Sequence, residues 1–301
     1  MTNLEQYDKL FLTSFPVKRS DLPTLKYRGI KQWDSVGHMD LMSAMEEVFG
    51  INRVRWMCWI SPPTRRARRF WPSTAWRSET MERLRSIEPL AESNCYVLGE
   101  KGRCVVIDPN SPVVEGMMTQ RGWQPDYFIL THEHCDHMAG LEKLRARWPR
   151  TPTVCTTLCS VGIQSPRLNM TSMMEVYLTF RGKQGVHYPP FVCREAEVTF
   201  SKPCTLFWQG HTLRCVPLPG HTPGSMGIFL DEITFFSGDY LLPGEDVILR
   251  LPGGSQRSYE LETLPFLRTL PVGLEICPGH GAPYIRIREE NTYGLEPAAR
   301  S

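Results

Sequence analysis

The chain has 301 residues, 41% of them hydrophobic, so it is long enough to bury one sizeable core and to carry a smaller additional segment. Its 34 basic and 32 acidic residues give a net charge of +2, which excludes a global attraction to nucleic acid or to an anionic membrane. Ten cysteines without a repeating spacing, a start that lacks an apolar secretory signal, and no bilayer-length apolar run together predict a cytoplasmic protein with reduced thiols.

Two amphipathic patterns fill the first fifty residues. Apolar side chains recur at helical spacing, first at Leu4, Tyr7, Leu10 and Phe11 and then at Leu41, Met42, Met45, Val48 and Phe49. Each pattern predicts a helix with one buried face. We therefore expect residues 1–51 to form a short helical extension ahead of the main domain.

Residues 52–80 have a different composition, in which seven arginines and four tryptophans are interleaved with prolines. Arginine with tryptophan is compatible with nucleic-acid contact. Neither helical nor strand periodicity survives here, however, so we favour a poorly ordered linker or a segment translated in an unnatural reading frame.

From residue 81 to residue 301 the pattern is that of a globular domain. Apolar runs bounded by turn residues predict buried strands at Cys95–Leu98, Cys104–Ile107, Tyr127–Leu130, Leu213–Pro217 and Ile233–Phe236. The spacing of Leu141, Leu144 and Trp148 predicts a helix over Gly140–Trp148, after the third of these strands. A strand, a polar loop and a helix in succession are a common mounting for a functional site.

That loop concentrates side chains that bind metal ions. It reads Thr131-His132-Glu133-His134-Cys135-Asp136-His137, so three imidazoles and the carboxylate of Asp136 fall within six positions. Zinc takes neutral imidazole nitrogen and carboxylate oxygen as ligands. The same crowding would make a poor purely structural loop, so the pattern predicts a metal site.

Three further motifs follow in order, each placing one metal-binding side chain just after an apolar strand. They are Pro219-Gly220-His221-Thr222-Pro223-Gly224-Ser225, then Phe236-Ser237-Gly238-Asp239, and last Cys277-Pro278-Gly279-His280-Gly281. In this order, with the histidine-rich loop first, they resemble the metallo-β-lactamase superfamily. The resemblance runs from about Asn94 to His280.

The resemblance implies an α/β (α+β) fold, a four-layer αββα sandwich with a dinuclear site along one edge of its two sheets. By motif position, His132, His134 and His221 would hold one ion and Asp136, His137 and His280 the other, with Asp239 between them. The ions would be two Zn²⁺, with iron or manganese as alternatives, and they would activate a shared water molecule for hydrolysis. Asp136 and Asp239 would be the catalytic carboxylates. Glu133 and Cys135 hold variable positions, so we expect them to point away from the ions or to support the ligands.

The form of the downstream motifs is most similar to the glyoxalase II and thioesterase branch of that superfamily. Only 21 residues follow His280, which leaves no place for the helical domain with which glyoxalase II binds glutathione, so we do not expect a glutathione thioester. Met170–Tyr177 and Tyr188–Phe191 would cover an apolar acyl group or, as readily, form core and surface loop.

The first fifty residues are similar to a second family. The sequences Trp33-Asp34-Ser35-Val36-Gly37-His38-Met39-Asp40-Leu41 and Glu46-Glu47-Val48-Phe49-Gly50-Ile51 resemble the second helix of acyl carrier proteins, in which the serine carries phosphopantetheine. Val36 replaces the usual leucine and the later helices are missing, so we do not expect Ser35 to be modified. The resemblance favours a small-molecule acyl thioester linked to a carrier protein or to coenzyme A.

Two other enzymes use nearly the same ligands, a lactonase and an iron-dependent persulfide dioxygenase. A superfamily nuclease is disfavoured because the chain has no room for the inserted domain of such RNA-processing enzymes. A carrier or interaction module with a purely structural metal is disfavoured because all seven ligand positions are filled.

Overall fold

In a computed structural model the chain divides into two compact units, Met1–Ser78 and Glu79–Ser301. The structure describes residues 3–22, 30–33, 37, 40, 41, 44 and 81–287. The predicted linker at 52–80 and Ser35 lie outside the described residues. The domain boundaries at 51 and 80 therefore stay predictions.

The first unit contains helix α1, Asn3–Ser14, where the first amphipathic pattern predicts it. Gly37, Asp40, Leu41 and Ala44 are also helical, and the rest of the second predicted helix lies outside the described residues. The rings of Phe11 and Trp33 meet edge to face, with centroids 5.2 Å apart. They belong to a small buried apolar cluster of Leu10, Phe11, Phe15, Leu22, Trp33 and Leu41.

The second unit contains two six-stranded sheets. The strands of the first sheet, in spatial order, are β1 Glu82–Ile87, β2 Asn94–Glu100, β3 Arg103–Ile107, β4 Gln124–Ile129, β5 Thr153–Thr156 and β6 Val198–Phe200. The second sheet has the spatial order β12-β11-β10-β9-β8-β7, so strands that are consecutive in sequence are neighbours. Its strands are β7 Cys204–Trp208, β8 His211–Pro217, β9 Met226–Leu230, β10 Thr234–Gly238, β11 Glu275–Pro278 and β12 Tyr284–Ile285. In the first sheet β3 to β6 pair in parallel, and in the second only β10 and β11 do.

Alternation along each strand explains why the central strands read as unbroken apolar runs. In β2, Tyr96 and Leu98 pack between the two sheets, whereas Cys95 and Val97 point to the helices on the outer face. A strand that is buried on both faces has no polar face to show in its sequence. The five strands predicted from apolar runs are accordingly confirmed as β2, β3, β4, β8 and β10.

The helices are few and short, and they cover the outer faces of both sheets. Those of the first sheet are α2 Val114–Gln120, α3 Cys135–Met138, α4 Leu141–Arg147, α5 Thr157–Gly162 and α6 Met174–Phe180. A 3₁₀ turn, Thr171–Met173, precedes α6. The second sheet is covered by a continuous helical segment of α7 Gln256–Ser258, a π-helical stretch Tyr259–Thr263 and α8 Leu264–Arg268. The predicted mixed α/β sandwich is confirmed.

Every predicted metal ligand follows the carboxyl end of a strand. His132 comes after β4, His221 after β8, Asp239 directly after β10 and His280 after β11. Loops at strand ends are where a rigid scaffold commonly carries its functional side chains. Within the part of the chain that the structure describes, none of the helices combines the length and apolar character that crossing a bilayer would take.

Candidate metal centre

The structure brings all seven predicted side chains together. They fall into two groups, within each of which the candidate ligand atoms lie no more than 4.8 Å apart. The first group is His132, His134, His221 and Asp239, and the second group is Asp136, His137 and His280. These are the two sets that the motif positions predict, with Asp239 counted in the first.

The three histidines of the first group are buried, and the side chain of Asp239 is 11% exposed. His221 Nε2 lies 3.0 Å from His134 Nδ1 and 3.3 Å from Asp239 Oδ2. Asp239 Oδ2 lies 3.9 Å from His132 Nε2. Three imidazole nitrogens and one carboxylate oxygen therefore surround one point, which is the number and type of ligands that zinc takes.

The second group is closer to solvent. Asp136 Oδ2 lies 3.5 Å from His137 Nε2 and 3.4 Å from His280 Nε2. The side chain of His280 is 20% exposed, whereas that of His137 is fully buried. An ion held by this group would have a side open to a substrate.

Asp239 stands between the two groups. Its Oδ1 lies 3.3 Å from His137 Nε2 in the second group, and its Oδ2 faces His221 in the first. One carboxylate with an oxygen toward each group can serve two ions at once. This placement is what a bridging ligand requires.

Three of the histidines carry their ring proton on Nδ1, and their Nε2 atoms face the centre. His221 Nδ1 donates to the carbonyl of Ile248 at 2.8 Å, and His137 Nδ1 donates to Asp108 Oδ2 at 3.0 Å. Thr131 Oγ1 gives its only hydrogen to Asp108, so it accepts from His132 Nδ1. In their neutral form these three histidines therefore present the lone pairs of Nε2 to the centre.

Several of these inward atoms have no hydrogen-bond partner among the described residues. They are His132 Nε2, His137 Nε2 and Asp239 Oδ1, all of them buried. A buried polar atom left unpaired costs about 1–3 kcal/mol. Because nitrogen and oxygen lone pairs of several side chains converge at the centre, the residues fit a pair of divalent cations.

Burial and charge shift the pKa values of the side chains at the centre in different directions. Burial lowers the pKa of His134 to about 3, so its ring is neutral. Burial opposes ionisation of Asp136, but His137 and His280 outweigh it and hold the pKa of that carboxyl at about 2. Burial likewise disfavours charge on His280, yet Asp239 and Asp136 raise its pKa to about 10. The cluster therefore stabilises added positive charge.

A family model for the metallo-beta-lactamase superfamily matches residues 89–280. This range includes all seven side chains of the centre. The chain belongs to the metallo-β-lactamase superfamily.

Several solved structures share the fold. The BLEG-1 B3 metallo-beta-lactamase is 24% identical with a TM-score of 0.55, and the match covers 68% of this chain and 94% of that one. The protein TTHA1623, in a di-iron-bound form, is 25% identical with a TM-score of 0.51, over 68% and 93% of the two chains. ETHE1 from Myxococcus xanthus is 20% identical with a TM-score of 0.52, over 71% and 83%. These likenesses show the fold.

One residue that supports the centre was not found from the sequence. Asp108 follows β3 with a positive φ of 52°, and its Oδ1 accepts the backbone N–H of Thr131 at 2.7 Å. Its Oδ2 accepts from Thr131 Oγ1 and from His137, so one carboxylate orients two histidines of the histidine-rich loop. The available signal was an aspartate placed directly after a buried strand, as Asp239 is.

The two variable positions of the loop point away from the centre, as expected. Cys135 is buried in the core between the first sheet and its helices. Glu133 is buried against the His221 loop, where its Oε2 accepts from Thr222 Oγ1 at 2.8 Å. Gly279 leaves room that the centre needs, because a Cβ there would lie 2.3 Å from Asp239 Oδ1.

Proposed function

We propose that this metallo-β-lactamase superfamily chain is a dinuclear metal-dependent hydrolase that cleaves an acyl thioester. The observation that carries the proposal is the convergence of seven side chains in two groups that share Asp239. His132, His134 and His221 would hold one ion and Asp136, His137 and His280 the other. When bound, such ions supply a water molecule whose pKa is lowered toward about 7 and a Lewis acid for the substrate carbonyl.

The protein's own residues would orient the ligands and manage the proton. Asp136 and Asp239 are the two carboxylates at the centre, so they are the groups that can accept a proton from a water molecule there. The thiol of Cys135, which is next to His134 and Asp136 in sequence, is fully buried on the helical side of the sheet and is not placed to attack a substrate. Direct attack by water therefore accounts for hydrolysis better than a covalent intermediate does.

An apolar acyl group is supported by the segments beside the second group. Met173, Val176 and Phe180 are exposed and recur at i, i+3 and i+7 through the 3₁₀ turn and α6, so they share one face. Tyr177 lies next to that face and within electrostatic range of Asp136 and Asp239. Exposed apolar residues that lie together mark binding surfaces more often than isolated ones do.

The segment 188–191 is tied to the same helix. Glu175 Oε1, at the start of α6, accepts the backbone N–H of Tyr188 at 2.7 Å, and the rings of Tyr188 and Phe191 lie 6.2 Å apart. The two stretches that the sequence analysis singled out as a cover for an acyl group are thus linked to each other. We infer that they receive the acyl chain of the thioester, with coenzyme A or a carrier protein as the thiol part.

The test combines metal analysis with substrate comparison on the purified full chain. We expect two zinc ions per chain and hydrolysis of acyl-coenzyme A or acyl-phosphopantetheine thioesters. Lactone hydrolysis without thioester turnover would overturn the thioester assignment in favour of a lactonase. One iron per chain with consumption of oxygen would overturn hydrolysis in favour of a dioxygenase. The di-iron form of TTHA1623 makes the metal analysis the first step.

Phe180→Ser tests the acyl surface. We expect KM for long-chain acyl thioesters to rise by about three- to tenfold, because an apolar contact is worth about 1 kcal/mol or more. The KM for an acetyl thioester should change little. Phe207→Ser is the matched control, since Phe207 is also highly exposed but lies on β7 at the edge of the second sheet. Equal KM changes in both variants would contradict the acyl surface.

A further inference from the structure

Glu133 is placed between two proposed ligands in the sequence but serves a different loop. Its side chain is 1% exposed, and its Oε2 accepts from Thr222 Oγ1 at 2.8 Å. Its Oε1 accepts from the backbone N–H of Gly224 at 3.4 Å. Both partners belong to the loop that carries His221, so this carboxyl joins the loop of His132 and His134 to the loop of His221.

Two glycines make the space that this carboxyl occupies. A Cβ at Gly162, in α5, would lie 2.5 Å from Glu133 Cγ. A Cβ at Gly224 would lie 2.4 Å from Glu133 Oε2 and 2.4 Å from the Cα of Cys159. Real Cβ atoms do not approach so closely, so the backbones of α5 and of the His221 loop close around the Glu133 side chain.

The hydrogen-bond directions around Thr222 are fixed by counting protons. Thr222 has one hydroxyl hydrogen, and the carboxyl of Glu133 accepts it. The Ser225 hydroxyl, 2.8 Å from Thr222 Oγ1, therefore donates to Thr222 and accepts the backbone N–H of Thr222 at 3.1 Å. Removing Glu133 would take the carboxyl acceptor from the buried Thr222 hydroxyl, next to His221.

The contact of Glu133 with the His221 loop lies beside a close pair of candidate ligands. His134 Nδ1 and His221 Nε2 lie 3.0 Å apart, one on each of the joined loops. The two imidazoles reach the first group from backbone segments that are 87 residues apart in sequence. We propose that Glu133 is a positioning residue that sets the approach of His134 and His221 and thereby the affinity of the first group for its ion.

This inference rests on the metal centre of the proposed function and extends it to a residue outside the ligand set. Supporting partners of metal ligands typically contribute about 10- to 100-fold in metal affinity. Glu133 acts through Thr222 and the backbone rather than on a ligand ring. We therefore expect an effect of about tenfold, at the lower end of that range.

The experiment measures zinc affinity by competition with a chromophoric chelator in the full chain. Glu133→Ala and Thr222→Val should each weaken binding by the first group about tenfold. Glu133→Gln and Thr222→Ser should weaken zinc binding less than these truncations do, because each keeps a hydrogen-bonding oxygen. The double variant Glu133→Ala with Thr222→Val should bind no more weakly than either single variant, because both remove the same contact.

The His280→Ala background assigns the effect to the first group, since the second group then keeps only Asp136 and His137. Thr151→Val is the matched control, a buried threonine whose hydroxyl donates to the carbonyl of Pro125 instead. It should bind zinc like the parent chain. If Glu133→Ala, Thr222→Val and Thr151→Val all lose stability, only the first two should also lose zinc affinity, so the two effects can be told apart.

Zinc affinities of Glu133→Ala and Thr222→Val that equal those of Thr151→Val would overturn the positioning role. Weakening of both groups to the same degree would overturn it as well, because the link reaches only the first. If the unsubstituted chain bound no zinc, the proposed function itself would fail. Zinc binding without thioester turnover would count against the substrate alone and leave the role of Glu133 intact.

Discussion

The two ligand groups use the same kinds of side chain but differ in surroundings. The first is buried and held from several elements, with His221 fixed by the carbonyl of Ile248 and its backbone N–H bonded to the Tyr240 hydroxyl. The second is partly exposed at Asp136 and His280. Two sites that share a carboxylate can therefore be unequal, one preorganised and closed, the other open.

The difference assigns separate roles to the two groups. Preorganised ligands lose little conformational freedom on binding, so the first group should take up an ion more tightly. The second group lies on the side of Tyr177 and α6, where the proposed acyl chain would enter. We infer that the first group anchors the centre and that the second meets the substrate.

The largest expected effect comes from the residue that the groups share. Asp239→Ala should weaken zinc binding by both groups and lower kcat by about 10³-fold, the scale of losing one electrostatic group of an active site. The measurements are zinc stoichiometry and thioester turnover. Circular dichroism at matched protein concentration checks that the fold persists. Retention of two tightly bound ions by this variant would refute the bridging placement.

Much of the fold could be predicted from the sequence, because burial on both faces leaves an unbroken apolar signature. The strands around Val97, Val105 and Phe128 are of this kind. The four edge strands, β1, β6, β7 and β12, were missed, because exposed and partly exposed positions interrupt their apolar pattern. The interior strands β5, β9 and β11 were missed as well, although they are largely buried.

The candidate centre was also only partly predictable from the sequence. The histidines and aspartates of the four motifs were found because each stands beside glycine or another ligand in a recognisable order. The role of Asp108 was not found, and Glu133 was expected to point away from the ions or to support the ligands, but its partners were not predicted. These contacts join residues that are 23 to 91 positions apart in sequence. Which distant side chains meet is decided by packing of the two sheets, and no local pattern records it. That the seven side chains bind ions stays a prediction.

A pair of single substitutions separates the two groups. His280→Ala should release the ion of the open group and keep the other, with kcat lowered by about 10²-fold. His134→Ala should weaken the closed group instead. Stepwise zinc dissociation constants distinguish them: the first variant should lose the weaker binding step and the second the tighter one. If both variants lost the same step, the two groups would not be independent positions.

The smallest expected effect is on stability. It concerns His211, which has carboxylate partners and belongs to neither ligand group. His211 Nε2 lies 2.8 Å from Glu100 Oε2, and its Nδ1 is bonded to Asp231, so β8 of one sheet is tied to β2 of the other. Lys101 also contacts Glu100, at 2.7 Å. Here the imidazole and the carboxylates are in direct hydrogen-bond contact.

The hydrogen bond to Asp231 raises the pKa of His211 above its usual value of about 6.5. The charged pair therefore stabilises the fold fully below about pH 6.5, and the stabilisation is lost as the pH rises through the raised pKa. At low pH the pair weakens again, because Asp231 becomes protonated. Burial opposes the ionisation of Asp231, but the hydrogen bond from His211 outweighs it, so the pKa of Asp231 is lowered. The expected contribution at the optimum is about 1 kcal/mol, since both side chains are partly exposed.

His211→Gln tests this assignment through denaturant unfolding between about pH 5 and pH 9 with saturating zinc. The free energy of unfolding of the unsubstituted chain should exceed that of the variant most near pH 5 to 6, and the difference should shrink toward high pH. His187→Gln is the control, because His187 is 85% exposed and pairs with Glu175 at the surface. A difference that stayed constant with pH would show that His211 acts by packing alone. The histidines of the metal centre cancel in the comparison, so only this third cluster is measured.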